Sequence, residues 1–385
     1  MVIRAKRKST NTSRRVPGKS SRTRPRGSGA GNTRSLVVTR RVRAAAKRRP
    51  HGRRPPRRQR DRCSIVIRSF NEERHIARLL SGILSQTVAD VDVLLVDSGS
   101  TDGTVSIASR FPVRILALNP LEFTFGRSLN TGCAAARADL IVIASAHVYP
   151  VYSDWLERLL EPFKDRDVAM VYGKQRGDAR TRFSESQIFH TWFPEATNLA
   201  QDHPFCNNAN AAVRRSLWRK HPFDEDLPAL EDIAWASWAT SMGHRLAYVA
   251  EAEVVHVHDE SPRSVFNRYR REAMALSRIH PHTRFRATDF ARLLFANLAS
   301  DGWHALQRRE LHRKWAEILW FRWMQFWGTY RGFSIVGPLT QELKQTFYYP
   351  RGQGSPSATR RDLAPLDYSR LVDLGEGRGR AKKPE

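Results

Sequence analysis

Ser64-Ile65-Val66-Ile67-Arg68-Ser69-Phe70-Asn71-Glu72-Glu73 is the stretch that decides how this chain is read. A short apolar run ends abruptly in polar residues, a pattern that predicts a buried strand over 64–69. Residues 71–85 then place Ile76, Leu79, Leu80, Ile83 and Leu84 at helical spacing, with Glu72 and Glu73 as an acidic start. Val91 to Asp97 reads as a second buried strand, and the turn-rich Ser98-Gly99-Ser100-Thr101-Asp102-Gly103-Thr104 opens another helix. A third strand over Val113 to Leu118, a small-residue helix over Ser128 to Ala136 and a fourth strand over Leu140 to Ala144 continue the alternation. Alternating strands and helices imply an open, mostly parallel α/β sheet. Ligands of such sheets bind at the carboxyl ends of the strands, which here are residues 69–72, 97–102 and 145–148.

The rest of the chain is organised around this block. Its 385 residues carry a net charge of +27, unevenly spread. Residues 1–62 hold 23 Lys and Arg against the single acid Asp61, about +22, and almost no large apolar side chains. Such a segment is expected to be a disordered basic arm, because burial cannot offset its ordering entropy. An anionic membrane face or nucleic acid would attract it; a solvated tail is the plain alternative. Residues 151–282 are read as a second half with a helix near Leu230 to Met242. Residues 283–350 are read as helical and rich in Trp, Phe and Arg, and 351–385 as a tail. Gly173-Lys174-Gln175 and residues 180–185 are read as a loop near a second substrate. Cys63, Cys133 and Cys206 form neither a CxxC pair nor a zinc spacing and are expected to be reduced thiols. No run of about 20 apolar residues suggests a spanning helix, and no apolar segment suggests a secretory signal.

Four motifs carry a family resemblance. Ser69-Phe70-Asn71-Glu72-Glu73, Val96-Asp97-Ser98-Gly99-Ser100-Thr101-Asp102-Gly103-Thr104, Phe125-Gly126-Arg127-Ser128-Leu129-Asn130-Thr131-Gly132 and Ala229-Leu230-Glu231-Asp232-Ile233-Ala234-Trp235 occur in the order seen in family 2 glycosyltransferases. The likeness covers about residues 63–280. It implies a GT-A domain over 63–282, nucleotide-sugar-dependent, with inversion at the anomeric carbon. Within that family it resembles the rhamnosyltransferase-like branch.

The chemistry such a reaction needs can be sought in these residues: a nucleotide pocket, a countercharge for the departing diphosphate, and a base for the acceptor hydroxyl. Ser69, Asn71 and Glu72 lie at the first strand's end. Asp97 lies at the second strand's end, where the resemblance implies a contact to the base; capping its own turn is the alternative. Asp102 reads equally as a helix cap. Glu231 and Asp232 are expected in the first turn of a helix that Pro228 helps to start. The resemblance makes Asp232 the general base and Glu231 its companion in orienting the acceptor. Asn208, Asn210 and Trp235 are candidates for the donor and acceptor pocket.

The family's D-x-D metal motif is replaced. Ser145-Ala146-His147 stands in its place, and Val254-Val255-His256-Val257-His258 adds two histidines on one expected strand face. Ser145 is assigned to the ribose, and His147 with His258 to one divalent cation, with His256 second in line. Imidazole nitrogen suits Mn²⁺ better than Mg²⁺. A structural role for each histidine is the alternative. Arg268, Arg270 and Arg271 could clamp a diphosphate or form a solvated helix face.

The expected partners are a nucleoside-diphosphate sugar and a saccharide or lipid-linked acceptor. Peripheral membrane contact through the arm and the C-terminal helices is also expected, at the cytoplasmic side of the plasma membrane, in cell-surface polysaccharide or glycolipid synthesis. No specific nucleic acid is expected. The alternatives are a degenerate domain that binds sugar nucleotide without turnover and a nucleic-acid binder driven by the arm.

Overall fold

The structure is a computed structural model that describes residues 62–335 and Leu366. The basic arm, residues 336–350 of the C-terminal segment and, apart from Leu366, the tail lie outside the described residues.

β1 (Cys63–Ser69), β2 (Val91–Asp97), β3 (Arg114–Ala117) and β4 (Leu140–Ser145) pair in parallel in the order β3-β2-β1-β4. Helices α1 (Ile76–Leu84), α2 (Thr104–Ala108) and α3 (Phe125–Ala135) make the connections. A short strand β5 (Val148–Pro150) and helix α4 (Trp155–Leu160) follow, then β6 (Val168–Arg176), α5 (Phe183–Trp192) and β7 (Asn198–Gln201). β8 (Asn210–Arg214) runs antiparallel between β4 and β6. After α6 (Arg215–Lys220) and α7 (Glu231–Ser241), β9 (Arg245–His256) pairs parallel with β6 and carries β5 and β7 on its edges, both antiparallel. Six strands therefore run one way and three the other, in one sheet.

Alternation of side chains along the central strands builds two cores. Ile65, Ile67, Val93, Leu95 and Val142 face α1 and α4. Val66, Leu94, Val96, Ile141 and Ile143 face α3 and α7. Full burial of each such side chain is worth about 1.5–3 kcal/mol. The small-residue helix is small for a reason. A Cβ on Gly132 of α3 would come within 2.3 Å of Val66, so α3 lies directly on β1.

Three local expectations change. α1 begins at Ile76 with no acid in its first turn. Asn71 instead takes a left-handed φ of 56°, and residues 71–73 are stapled to the 98–104 loop. Thr101 N–H donates to Asn71 Oδ1 (2.8 Å), Gly103 N–H to Glu73 Oε2 (2.8 Å) and Glu72 N–H to Thr104 Oγ1 (2.7 Å). α7 begins at Glu231 behind a left-handed Leu230 (φ 58°), so Pro228 lies in the approach and not in the helix. Residues 173–175 belong to β6, and residues 183–185 open α5; neither is loop.

The C-terminal side packs α8 (Pro262–Ile279), α9 (Ala287–Gln307) and α10 (Leu311–Phe333) together. Ser261 caps α8, with Pro262 at its first position. Asp301 of α9 and Arg322 of α10 form a bidentate pair (2.7 and 2.8 Å), with both residues under 5% exposed. Cys63, Cys133 and Cys206 are buried and unbridged.

Candidate functional site at the carboxyl edge of the sheet

Strand register gathers the candidate residues along one edge. Ser69 of β1 is level with Asp97 of β2, and Arg68 of β1 with Ser145 of β4. His256 ends β9, which runs in the same direction, and antiparallel β8 starts at the same edge with Asn210. The N-terminus of α7 adds Glu231 and Asp232.

The acid pair is buried. Asp232 is 8% exposed and Glu231 is 4% exposed. Two backbone N–H groups hold Asp232 through different oxygens: Asn208 to Oδ2 (2.9 Å) and Ile233 to Oδ1 (2.8 Å). Burial, and then the neighbouring Glu231 charge, push the Asp232 carboxyl up to about 7. Glu231 Oε1 takes the Asn208 amide and the Arg68 guanidinium, each at 3.4 Å. Asn208 thus grips both acids, one by backbone and one by side chain.

The histidines converge. One ring nitrogen from each of His147, His256 and His258 lies within 4.8 Å of the others. β9 ends at His256, so His258 reaches the cluster from the chain beyond the strand rather than from a shared strand face. His147 Nδ1 donates to Glu72 Oε1 (2.7 Å), and its Nε2 lies 3.2 Å from Ser145 Oγ. Desolvation lowers the pKa of His147, but the charge and hydrogen bond of Glu72 overcome it, and the pKa is raised. His256, fully enclosed beside two other imidazoles and Arg268, is held well below the usual value, and so neutral. Glu72, expected at the nucleotide, is instead engaged with His147.

Asp97 closes its own turn. Oδ2 accepts from Gly99 and Ser100 N–H (3.1 and 3.0 Å), and Oδ1 accepts from the Ser69 and Ser100 hydroxyls (3.2 and 2.5 Å). Four donors fill a carboxylate's four acceptor sites, which is the capping alternative read from the sequence. Asp102 likewise accepts from Thr104 and Glu73 N–H (3.0 and 3.1 Å).

Two pocket candidates are corrected. Asn210 is fully buried and spends its amide on Trp155 Nε1 (2.9 Å) and the Ala252 and Lys174 carbonyls (2.8 and 3.2 Å), so it locks β8 to its neighbours. Trp235 is 1% exposed and donates to the His221 carbonyl (2.7 Å), packed against Phe223 and Trp238. Neither offers a polar atom to a ligand. Arg268 is no part of a solvated face, since Glu185 (2.7 Å) and Glu260 (2.5 Å) pair with it.

Arg68 is the candidate residue that sequence reasoning passed over. It sits 3.4 Å from Glu231, its guanidinium lies 4.7 Å from the Phe125 ring centroid, and its charge acts on both His147 and Asp232. The acid pair and the histidines are therefore electrostatic neighbours through Arg68. The available signal was a lone charge inside an otherwise apolar strand.

Comparison with known proteins agrees with this arrangement. Residues 64–221 match the family described as Glycosyl transferase family 2. The O-antigen chain rhamnosyltransferase WbaN of Salmonella anatum is 32% identical over 195 residues, 48% of this chain and 62% of that protein. The O-antigen chain rhamnosyltransferase RfbN of Salmonella typhimurium is 28% identical over 220 residues, 54% of this chain and 70% of that protein. The chain thus spans less than two thirds of the WbaN relative. Among solved structures, the mannosyltransferase PcManGT from Pyrobaculum calidifontis, in complex with GDP-Man and Mn²⁺, aligns with a TM-score of 0.50 at 19% identity over 70% of this chain and 86% of that one. That likeness is one of fold, the mixed α/β architecture of the GT-A type.

Proposed function

We propose that this chain, whose residues 64–221 match the family described as Glycosyl transferase family 2, transfers a sugar from a nucleoside-diphosphate donor to a hydroxyl of a saccharide or lipid-linked saccharide, with inversion. Polysaccharide synthesis of the kind named for its O-antigen relatives is the setting that best suits it. One arrangement carries the reading: a buried acid pair opens α7, and Glu231 meets Arg68 of β1, whose neighbour across the sheet is Ser145 of β4, while burial and the Glu231 charge push the Asp232 carboxyl up to about 7. A group poised near neutrality is what a general base needs.

In this reading Asp232 takes the acceptor proton while Glu231, held by Arg68 and Asn208, orients the acceptor. Ser69, Asn71, Asp97 and Ser145 border the nucleotide. His147 at the D-x-D position, with His256 and His258 from the end of β9, fits a cation: the three offer nitrogen donors close together, and Ser145 lies beside His147. Nitrogen donors favour Mn²⁺ over Mg²⁺. When bound, such an ion would supply countercharge to the departing diphosphate.

The domain division proposed is a GT-A body over 63–282 followed by a helical segment. Membrane contact belongs to the same reading. Trp315, Leu319 and Trp323 of α10 are exposed at four-residue spacing, and Phe295, Trp303 and Leu306 on α9 are exposed as well. The exposed charges of the two helices and the turn between them are Arg292, Arg308, Arg309, Arg313 and Arg331 against Glu310 alone. Aromatic side chains beside arginine suit an anionic bilayer surface. Among the described residues no helix is long and apolar enough to cross a membrane. The site proposed is the cytoplasmic face.

The test is a panel of UDP-, GDP- and dTDP-sugars, scored by thermal shift and then by transfer, with the anomeric configuration of the product read by NMR. Binding of one donor class and an inverted product are expected. Failure of every sugar nucleotide to bind overturns the assignment.

A further inference from the structure

The connection from β7 to β8 carries Asn208 to the acid pair, and residues 202–206 within it belong to no helix or strand. Bonds outside the sheet ladder must therefore fix its path. Downstream, backbone bonds do so: the Asn210 N–H donates to the Asn207 carbonyl and the Ser145 N–H to the Ala209 carbonyl, each at 3.2 Å. Upstream, one side chain does so. Gln201 Nε2 donates to the His203 and Phe205 carbonyls, each at 2.6 Å. Gln201 Oε1 accepts from the Tyr172 hydroxyl, also at 2.6 Å. Both amide protons of Gln201 are thus spent on carbonyls of one short stretch. Tyr172 stands on β6 and Gln201 ends β7, and these strands flank β9 on its two sides. The clamp closes across the face of β9. The Tyr172 ring also meets Phe205 edge-on at 5.6 Å and Tyr248 of β9 at 5.1 Å. Both clamp residues are buried.

We propose that Gln201 and Tyr172 are positioning residues for Asp232: their clamp on the 203–205 stretch holds the chain so that the Asn208 N–H, just beyond it, meets Asp232 Oδ2 at 2.9 Å. An N–H that donates to a carboxylate favours its ionised form. Facing Asp232 among the described residues are Glu231 on its own helix, Arg68 of β1 and the Cys206 thiol of the connection itself. Burial and Glu231 oppose its charge, whereas the Asn208 and Ile233 N–H groups and Arg68 favour it. The Ile233 donor belongs to α7 and moves with the acid. The Asn208 donor comes from a separate part of the chain, so it is the one that the clamp controls. The importance of the clamp for sugar transfer rests on the reading of Asp232 as the base; its hold on the ionisation of Asp232 does not.

In the full chain, Gln201→Met removes all three bonds with little change of volume, and Tyr172→Phe removes the hydroxyl alone. The pH–rate profile of each is recorded at saturating donor. With the Asn208 donor loosened, the acidic limb in Gln201→Met should move from about 7 to about 8. Turnover at pH 7 then falls about fivefold and recovers above about pH 9. Tyr172→Phe should move the limb the same way by less. The ionisation of Asp232 is also read without turnover, by comparing the urea stability of each protein with that of its Asp232→Asn counterpart from about pH 4 to about pH 9. The same upward displacement is expected there. A loss of turnover that is equal at every pH overturns the proposal, as does an ionisation curve left at its wild-type position in folded Gln201→Met. Where Gln201→Met does not fold, Tyr172→Phe decides by the same two criteria. A displaced ionisation curve in a protein whose Asp232→Asn variant turns over normally would leave the clamp standing and remove the base.

Discussion

Replacing Asp232 by Asn removes one charge from the buried acid pair while keeping the shape of the side chain, and its consequences can be worked through. In the folded protein burial and the Glu231 charge raise this carboxyl from its ordinary 3.8 to about 7. About three pH units at 1.36 kcal/mol each is roughly 4 kcal/mol. Because the folded value is the higher one, the stabilising contribution is complete below the unfolded pKa, near pH 4. It is lost as pH rises through about 7, where the ionised acid is held in the interior. The amide does not ionise and escapes this loss. It has its own cost, since Asn208 and Ile233 donate to different carboxylate oxygens. One of those N–H groups would then face an amide NH₂, a penalty of about 1–3 kcal/mol at every pH. Asp232→Asn should therefore be less stable than wild type at pH 4 and more stable at pH 8, the difference swinging by about 4 kcal/mol. Urea unfolding at the two pH values measures it, and parallel pH–stability curves for the two proteins would refute the burial argument. In the same variant turnover should fall by about 10²–10⁴-fold, the usual contribution of a positioned base, with donor affinity kept. The wild-type rate should decline as pH falls below about 7, as the base becomes protonated. Normal turnover in the variant would remove Asp232 from that role.

Arg322→Met should cost about 3–5 kcal/mol, because it strands the buried Asp301 carboxylate; the double change with Asp301→Leu should recover most of the loss, as read by denaturant midpoint. Changing Trp315, Leu319 and Trp323 together to Ser should abolish binding to vesicles containing phosphatidylglycerol while leaving turnover on a water-soluble acceptor intact, and undiminished sedimentation with vesicles would refute the docking role of α10.

Much of this was legible locally. The strands at 64–69, 91–97 and 140–144 are apolar runs bounded by turn residues, and tight local patterns of that kind survive tertiary packing. The first-turn position of Glu231 and Asp232 was likewise readable. The helix start at Ile76 was not, because Asn71 and Glu73 find hydrogen-bond partners in a loop about 30 residues away. Nor was the role of Asn210, whose amide bonds to residues as far as 55 positions distant.

The order of residues along this chain thus determines an alternating α/β sheet, the edge at which a ligand would sit, and the acid pair that leads α7. The sheet and its edge follow from periodicity and composition within windows of a dozen residues or so, and the acid pair from the family resemblance of its motif. Tertiary structure alone decided that Arg68 would lie beside the acids with its charge also acting on His147, and that three histidines from two distant segments would each be anchored at Nδ1. Those facts depend on which strands pair and in what register, and pairing is set by the burial of two whole sheet faces rather than by any residue's neighbours in sequence.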